Sequence, residues 1–301
     1  MDERALEVIP RVPMPDESID DVADTAIWVA GYRAMESERP DALFRDPLAG
    51  RLAGERGRAL ASTMAGARQF AWSIVVRTCV IDAFVHEAVA AGFDAVLNLG
   101  AGLDTRPYRL ELPRGLRWFE VDHAKIIELK NHRLAGEAAS CGLERISADL
   151  AEASQRTALL DEIAARAEKI LVLTEGVIPY LSAEEVAALA HDLRAHASYR
   201  AWITDYSSPF LNKRMARRRD VRKRLGNAPR RFLPGDWEGF FRAQGWRLTE
   251  MRYLSVEGER MGRPPPIPWW FRALNMLTLR RFDGELQRMM GYGLLEPVRG
   301  I

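Results

Sequence analysis

Val96-Leu-Asn-Leu-Gly-Ala-Gly-Leu-Asp-Thr-Arg-Pro-Tyr-Arg-Leu110 reads as an apolar strand that runs straight into a Gly-x-Gly turn. About twenty residues later, Phe119-Glu-Val-Asp122 ends a second strand on a carboxylate. Parallel α/β sheets build nucleotide sites in this way. Gly100 and Gly102 let the backbone turn tightly and approach a ligand with no Cβ in between, and an acid at the next strand tip accepts hydrogen bonds from ribose hydroxyls. The pattern predicts a ribose-bearing cofactor, with Gly100 and Asp122 in its site.

The spacing does not suit a dinucleotide. A third glycine belongs at position 105, where the next helix packs close to the strand beneath a pyrophosphate, and the chain has Thr105 there. The short-chain dehydrogenase pattern also needs a tyrosine followed four residues later by lysine. None of Tyr32, Tyr108, Tyr180, Tyr199, Tyr206, Tyr253 or Tyr292 is so placed. S-adenosyl-L-methionine has no phosphate and tolerates a looser loop. It needs a carboxylate for its ribose, a polar group for its adenine and a cation for its methionine carboxylate, and the chain offers candidates for all three.

Several ordered stretches then carry a family resemblance: Thr25-Ala-Ile-Trp-Val-Ala-Gly-Tyr-Arg-Ala34, Asp46-Pro-Leu-Ala49, Asn98 to Arg109, Glu120-Val-Asp122, Ala148-Asp-Leu150 and Glu175-Gly-Val-Ile-Pro-Tyr-Leu181. Together they resemble the leucine carboxyl methyltransferase family, in its bacterial branch of polyketide-tailoring O-methyltransferases, over residues 20–256. The resemblance implies S-adenosyl-L-methionine as cofactor, lined by Gly100, with Asp122 on the ribose and Asp149 with Leu150 on the adenine edge. Arg77 would meet the cofactor carboxylate, and Arg33 and Glu175 match positions near the methionine moiety. An apolar neighbourhood of Val75, Val76 and Cys79 supports the Arg77 role, because a buried guanidinium is costly without a partner. A structural ion pair is the other reading of Arg77. Asp122 also fits a helix N-cap, and Asp149 an ordinary strand end.

Along the chain, strands at 95–99, 117–121, 145–148, 170–174 and 201–205 alternate with helical stretches at 128–139, 158–167 and 183–196. Such alternation predicts a doubly wound, mostly parallel α/β sheet. Trp246-Leu248 and Tyr253-Val256 are expected to complete seven strands as the antiparallel pair of a class I methyltransferase. Ser182-Ala-Glu-Glu185 has the form of a capping box. The expected layout is a single domain over 1–301, with a flexible arm at 1–20, a helical lid at 21–68, an α/β core at 69–256, a lid insertion at 206–234 and a strap at 257–301. Eight of the twelve residues 213–224 are basic. They read as a solvated lid helix or as a docking patch for an acidic acyl carrier protein or an anionic substrate.

A formal charge of +1 on 301 residues is too neutral for nucleic-acid binding, and no apolar run is long enough to span a membrane. A cytoplasmic protein is expected. Cys79 and Cys141 stand alone, which argues against a metal or disulfide framework. Tyr180 and Tyr206 lie just past neighbouring strand tips, where open sheets hold their ligands, and are the substrate-side candidates. His123 is a weaker candidate base, because the ribose end of the cofactor is remote from its methyl group. These features point to an O-methyltransferase acting on a small-molecule methyl acceptor, a carboxylate in preference to a phenol. A silent cofactor-binding or carrier-docking protein and a NAD-linked oxidoreductase are the alternatives, and the oligomeric state is open.

Overall fold

A computed structural model describes residues 22–63, 67–216, 230–266 and 283–298. The described residues begin with α1 (Val22–Ser37), α2 (Ala49–Thr63) and α3 (Ala67–Ala90), then enter β1 (Ala95–Leu99), the single turn α4 (Arg106–Arg109) and β2 (Arg117–Asp122). It continues through α5 (Ala124–Arg133), β3 (Gly142–Ser147), α6 (Ala153–Ala164), β4 (Ile170–Thr174), a 3-10 turn at Ile178–Tyr180 and α7 (Ala183–Arg194). β5 (Tyr199–Ser207), α8 (Pro209–Ala216), α9 (Trp237–Ala243), β6 (Trp246–Tyr253), α10 (Leu254–Arg260), α11 (Asp283–Gln287) and β7 (Met290–Pro297) complete the order.

The seven strands form one sheet in the order β3-β2-β1-β4-β5-β7-β6. The first five are parallel, and β7 runs antiparallel between β5 and β6. From β1 the chain steps outward to β2 and β3, then returns to β4 on the other side of β1. Helices after neighbouring strands therefore diverge between the tips of β1 and β4, leaving the crevice in which such sheets bind ligands.

β1 and β4 are buried along their whole length, and apart from Asn98 and Thr174 they are apolar, as strands covered on both faces are. Leu97, Leu99, Phe119, Val121, Val172 and Trp202 face α6, α7 and α9. Val96, Trp118, Leu171, Leu173 and Ile203 face the stripe Val80, Ile81, Phe84 and Val85 of α3. Each such side chain stabilises the fold by about 1.5–3 kcal/mol when fully buried. Ser182 caps α7 as its sequence predicts, accepting from Glu185 N at 3.2 Å while Glu185 Oε2 accepts from Ser182 N at 2.6 Å.

α1 and α2 cross tightly. A Cβ on Gly31 would stand 2.4 Å from the Gly57 carbonyl oxygen, so only glycine permits the approach. Trp28 and Tyr32 of α1 pack with Phe70 and Ile74 of α3, which seats the N-terminal pair on the body.

The expected strand at 253–256 does not form. Tyr253 ends β6, and Leu254 opens α10, where it is buried against the α3 side of the core. The partner of β6 is β7, so residues 290–297 belong to the sheet and not to a peripheral strap, and the core does not stop at 256. The sixth and seventh strands form an antiparallel pair as expected, but β7 is taken from the far end of the chain. The arm at 1–20, Trp269 to Phe271 and all of the basic run after 216 lie outside the described residues. No helix among the described residues is long and apolar enough to cross a membrane.

Candidate cofactor and acceptor site

The glycine loop curls from β1 back onto β2. Gly100 N and Ala101 N both donate to the Val121 carbonyl, at 2.8 and 3.0 Å. Gly100 has φ +68°, and a Cβ there would lie 2.3 Å from Cγ2 of Val177, so both conformation and space require glycine. Gly102, at φ +49°, donates its N–H to Asp122 Oδ2 at 2.7 Å, and Asp122 Oδ1 accepts from His123 N at 2.7 Å. The carboxylate thus locks the loop to the tip of β2, and each of its oxygens keeps a second lone pair. His123 is exposed at the start of α5 and makes no side-chain cap. Asp149 is exposed beyond β3, where its Oδ1 accepts from Ala151 N at 2.9 Å; half-buried Leu150 packs on the core beside it.

Between β1, β4 and α3 lies a buried cluster of charges. The Arg106 side chain is 2% exposed and meets three carboxylates: Asp82 at 2.7 Å, Asp104 at 2.8 Å and Glu175 at 2.8 Å. Arg109 takes both oxygens of Asp82, each at 2.7 Å, and Asn98 Nδ2 donates to Asp104 Oδ2 at 2.9 Å. On the far side of Glu175 stands Arg77, with Nε 2.9 Å from Oε1. That Nε is buried and has no aligned hydrogen-bond acceptor, so the ion pair leaves the guanidinium incompletely satisfied. Burial opposes ionisation of Asp104 and Glu175, but Arg106, joined by Arg77 at Glu175, outweighs it and holds both carboxyls below the usual range.

Arg33 sits one layer out. Its Nε donates to Asp46 Oδ2 at 2.9 Å and its Nη2 donates to the Leu103 carbonyl. Thr105 is fully buried and donates to the same Asp46 oxygen at 2.6 Å. Arg33 therefore ties α1 to the glycine loop through Asp46, and the structure does not bring it into contact with Arg77 or Glu175.

Tyr180 and Tyr206 border the β4 and β5 tips. Tyr206 packs edge-on against Trp237 and Tyr253, with centroids 5.6 and 5.8 Å apart. Burial raises the proton affinity of both hydroxyls, so they stay protonated at neutral pH. Sequence reasoning assigned no role to Asp82, Asp104 and Arg106, although the last two lie within the quoted motif. It also passed over Asp205 and Tyr292, whose pairing depends on the strand order.

The family model for leucine carboxyl methyltransferase matches residues 26–194. The chain belongs to the leucine carboxyl methyltransferase family. Similar proteins include one from Streptomyces coelicolor, 44% identical over 131 residues, covering 41% of this chain and 46% of that one. Another, from Frankia alni, is 33% identical over 264 residues, covering 81% of this chain and 90% of that one. Both are provisionally named S-adenosyl-L-methionine-dependent methyltransferases. The match thus spans about half of the first relative and nearly all of the second. Crystal structures of a duf574 family protein from Streptomyces avermitilis and of a provisionally named methyltransferase from Thermobifida fusca share the fold, each at TM-score 0.54, with 13% and 17% identity over 89% and 90% of this chain and 96% and 94% of theirs. For this member of the leucine carboxyl methyltransferase family they support the α/β, doubly wound, mostly parallel architecture read from the alternation of strands and helices.

Proposed function

We propose that the protein is an S-adenosyl-L-methionine-dependent O-methyltransferase acting on a small-molecule acid. The observation that carries the cofactor is the pairing of an Asp122-locked glycine loop at one end of the crevice with the half-satisfied Arg77 at the other. These groups suit a ribose and an amino-acid carboxylate. In this reading Asp122 holds the ribose, Asp149 and Leu150 the adenine edge, Gly100 the loop approach, and Arg77 with Glu175 the methionine end. When bound, the cofactor supplies an electrophilic sulfonium methyl.

The protein's task is then orientation and exclusion of water, because charge disappears as nucleophile and sulfonium meet. Tyr180 and Tyr206 keep their protons and orient the acceptor oxygen. A carboxylate acceptor is already ionised and needs no base, whereas a phenol of pKa about 10 does. Turnover on an acid acceptor should be nearly flat from about pH 6 to 9; a rate that climbs about tenfold per pH unit over that range would indicate an unassisted phenol instead. Methylation on nitrogen or carbon, read by mass spectrometry of the product, would also overturn the oxygen assignment. The polyketide setting rests on the resemblance of the motifs.

Asp122→Ala is expected to weaken binding of the demethylated cofactor by about 1.5–3 kcal/mol, the scale of hydrogen bonds to a charged group. Wild-type affinity by calorimetry in a folded variant would remove Asp122 from the ribose site. NAD should not bind, since buried Thr105 occupies the close helix-to-strand contact that its pyrophosphate loop reserves for glycine.

A further inference from the structure

Asp205 of β5 and Tyr292 of β7 lie directly opposite each other in the antiparallel register. The Tyr292 hydroxyl donates to Asp205 Oδ1 at 2.9 Å. The same carboxylate accepts from Gly176 N, at 3.0 Å on Oδ2 and 3.2 Å on Oδ1. Gly176 has φ +70° and turns the chain as it leaves β4. Its two neighbours are Glu175, which meets Arg77 and Arg106, and Val177, which presses on Gly100. One carboxylate therefore fixes the turn that carries the acid of the methionine end and the residue closing over the glycine loop.

We propose that Tyr292, acting through Asp205, is a positioning residue for the cofactor: it holds the Glu175-Gly176-Val177 turn in the geometry that cofactor binding needs. The inference rests on the S-adenosyl-L-methionine reading of the crevice. The Gly176 N–H is a backbone donor that must find an acceptor, and in this conformation Asp205 is the acceptor it has. The half-buried carboxylate also attracts the Arg77 guanidinium, and a directional anchor keeps it on Gly176 N. Tyr292 is 3% exposed and supplies that anchor from a strand already held by its backbone ladder. Burial raises the proton affinity of the Tyr292 hydroxyl, so it stays a donor across the working pH range. Removing the hydroxyl leaves ladder and ring packing in place and acts on the Asp205 carboxylate, which holds Gly176 N and lies near Arg77.

The test is calorimetry with two ligands, S-adenosyl-L-homocysteine and adenosine. Tyr292→Phe should bind the first about three- to tenfold more weakly, the range of one hydrogen bond, and adenosine with a smaller loss, because adenosine meets the turn only through Val177 at the glycine loop while the homocysteine part depends on Glu175 as well. Asp205→Ala should lose at least as much, and the double variant Tyr292→Phe with Asp205→Ala should match Asp205→Ala alone, since Tyr292 acts through the carboxylate. Wild-type affinity in Tyr292→Phe, an equal loss for adenosine, or losses that multiply in the double variant would each overturn the proposal. If Asp205→Ala does not fold, the two-ligand contrast in Tyr292→Phe decides alone. Binding of neither ligand by the unaltered protein would overturn the cofactor reading itself, and this inference with it.

Discussion

Replacing Arg106 by leucine is expected to cost the fold about 3–5 kcal/mol, the scale seen when one partner of a buried ion pair is removed. The side chain is 2% exposed and lies within 2.8 Å of Asp82, Asp104 and Glu175, so its loss leaves Asp104 without its ion-pair partner and leaves Asp82 and Glu175 with Arg109 and Arg77 alone. Set against a total stability of about 5–15 kcal/mol, the change is severe. Lysine should rescue little, since a single ammonium cannot reproduce the planar fork that meets several carboxylates. The pH dependence follows from the lowered pKa values of Asp104 and Glu175. A depressed carboxyl pKa contributes stability above the unfolded value of about 4 that is lost as pH falls through the folded one. The gap between wild type and Arg106→Leu should therefore be widest at neutral pH and narrow on acidification. A denaturation midpoint equal to wild type at pH 7 would show that the cluster contributes nothing.

Arg77→Met is expected to weaken S-adenosyl-L-methionine by about 2–5 kcal/mol, as truncation of a buried charge partner does, and to spare adenosine, which has no carboxylate. Arg77 also meets Glu175, so a purely structural ion pair makes the opposite forecast. In that case the melting temperature of the unliganded protein falls and both ligands lose affinity equally. The unaligned buried Nε favours the first outcome, because the Glu175 contact alone leaves a donor unused.

Local chemistry made the parallel half of the sheet readable. Runs such as Ile170 to Leu173 are apolar throughout, and glycine or acid lies just past the strand tips that carry the site. Gly100, Asp122 and Glu175 sit at strand tips, so strand order alone gathers them. The last strand was hidden for an equally physical reason. Met290-Gly-Tyr-Gly-Leu-Leu-Glu-Pro297 contains two glycines and a proline, which read as a loop. The glycines are required by packing that no local pattern announces: a Cβ on Gly291 would meet the Arg252 carbonyl at 2.5 Å, and one on Gly293 the Trp237 ring at 2.7 Å. Tyr253 to Val256 has the residues of a strand, yet burial of Leu254 beside α3 draws the segment into a helix. The contacts of Arg33 are hidden in a related way. Its motif position pointed to the cofactor, but its contacts with Asp46 and Leu103 are made across distant parts of the chain.

The insertion of β7 between two strands made before it has a consequence for biosynthesis. While residues 254–289 are being translated, β6 has no neighbour in the sheet and β5 presents an unpaired edge. At about 5–20 residues per second that interval lasts a few seconds, long enough for a foreign strand to anneal to the open edge. Arg200 and Asp205 place charges on that strand, which discourages such pairing until Tyr292 arrives to take its place beside Asp205.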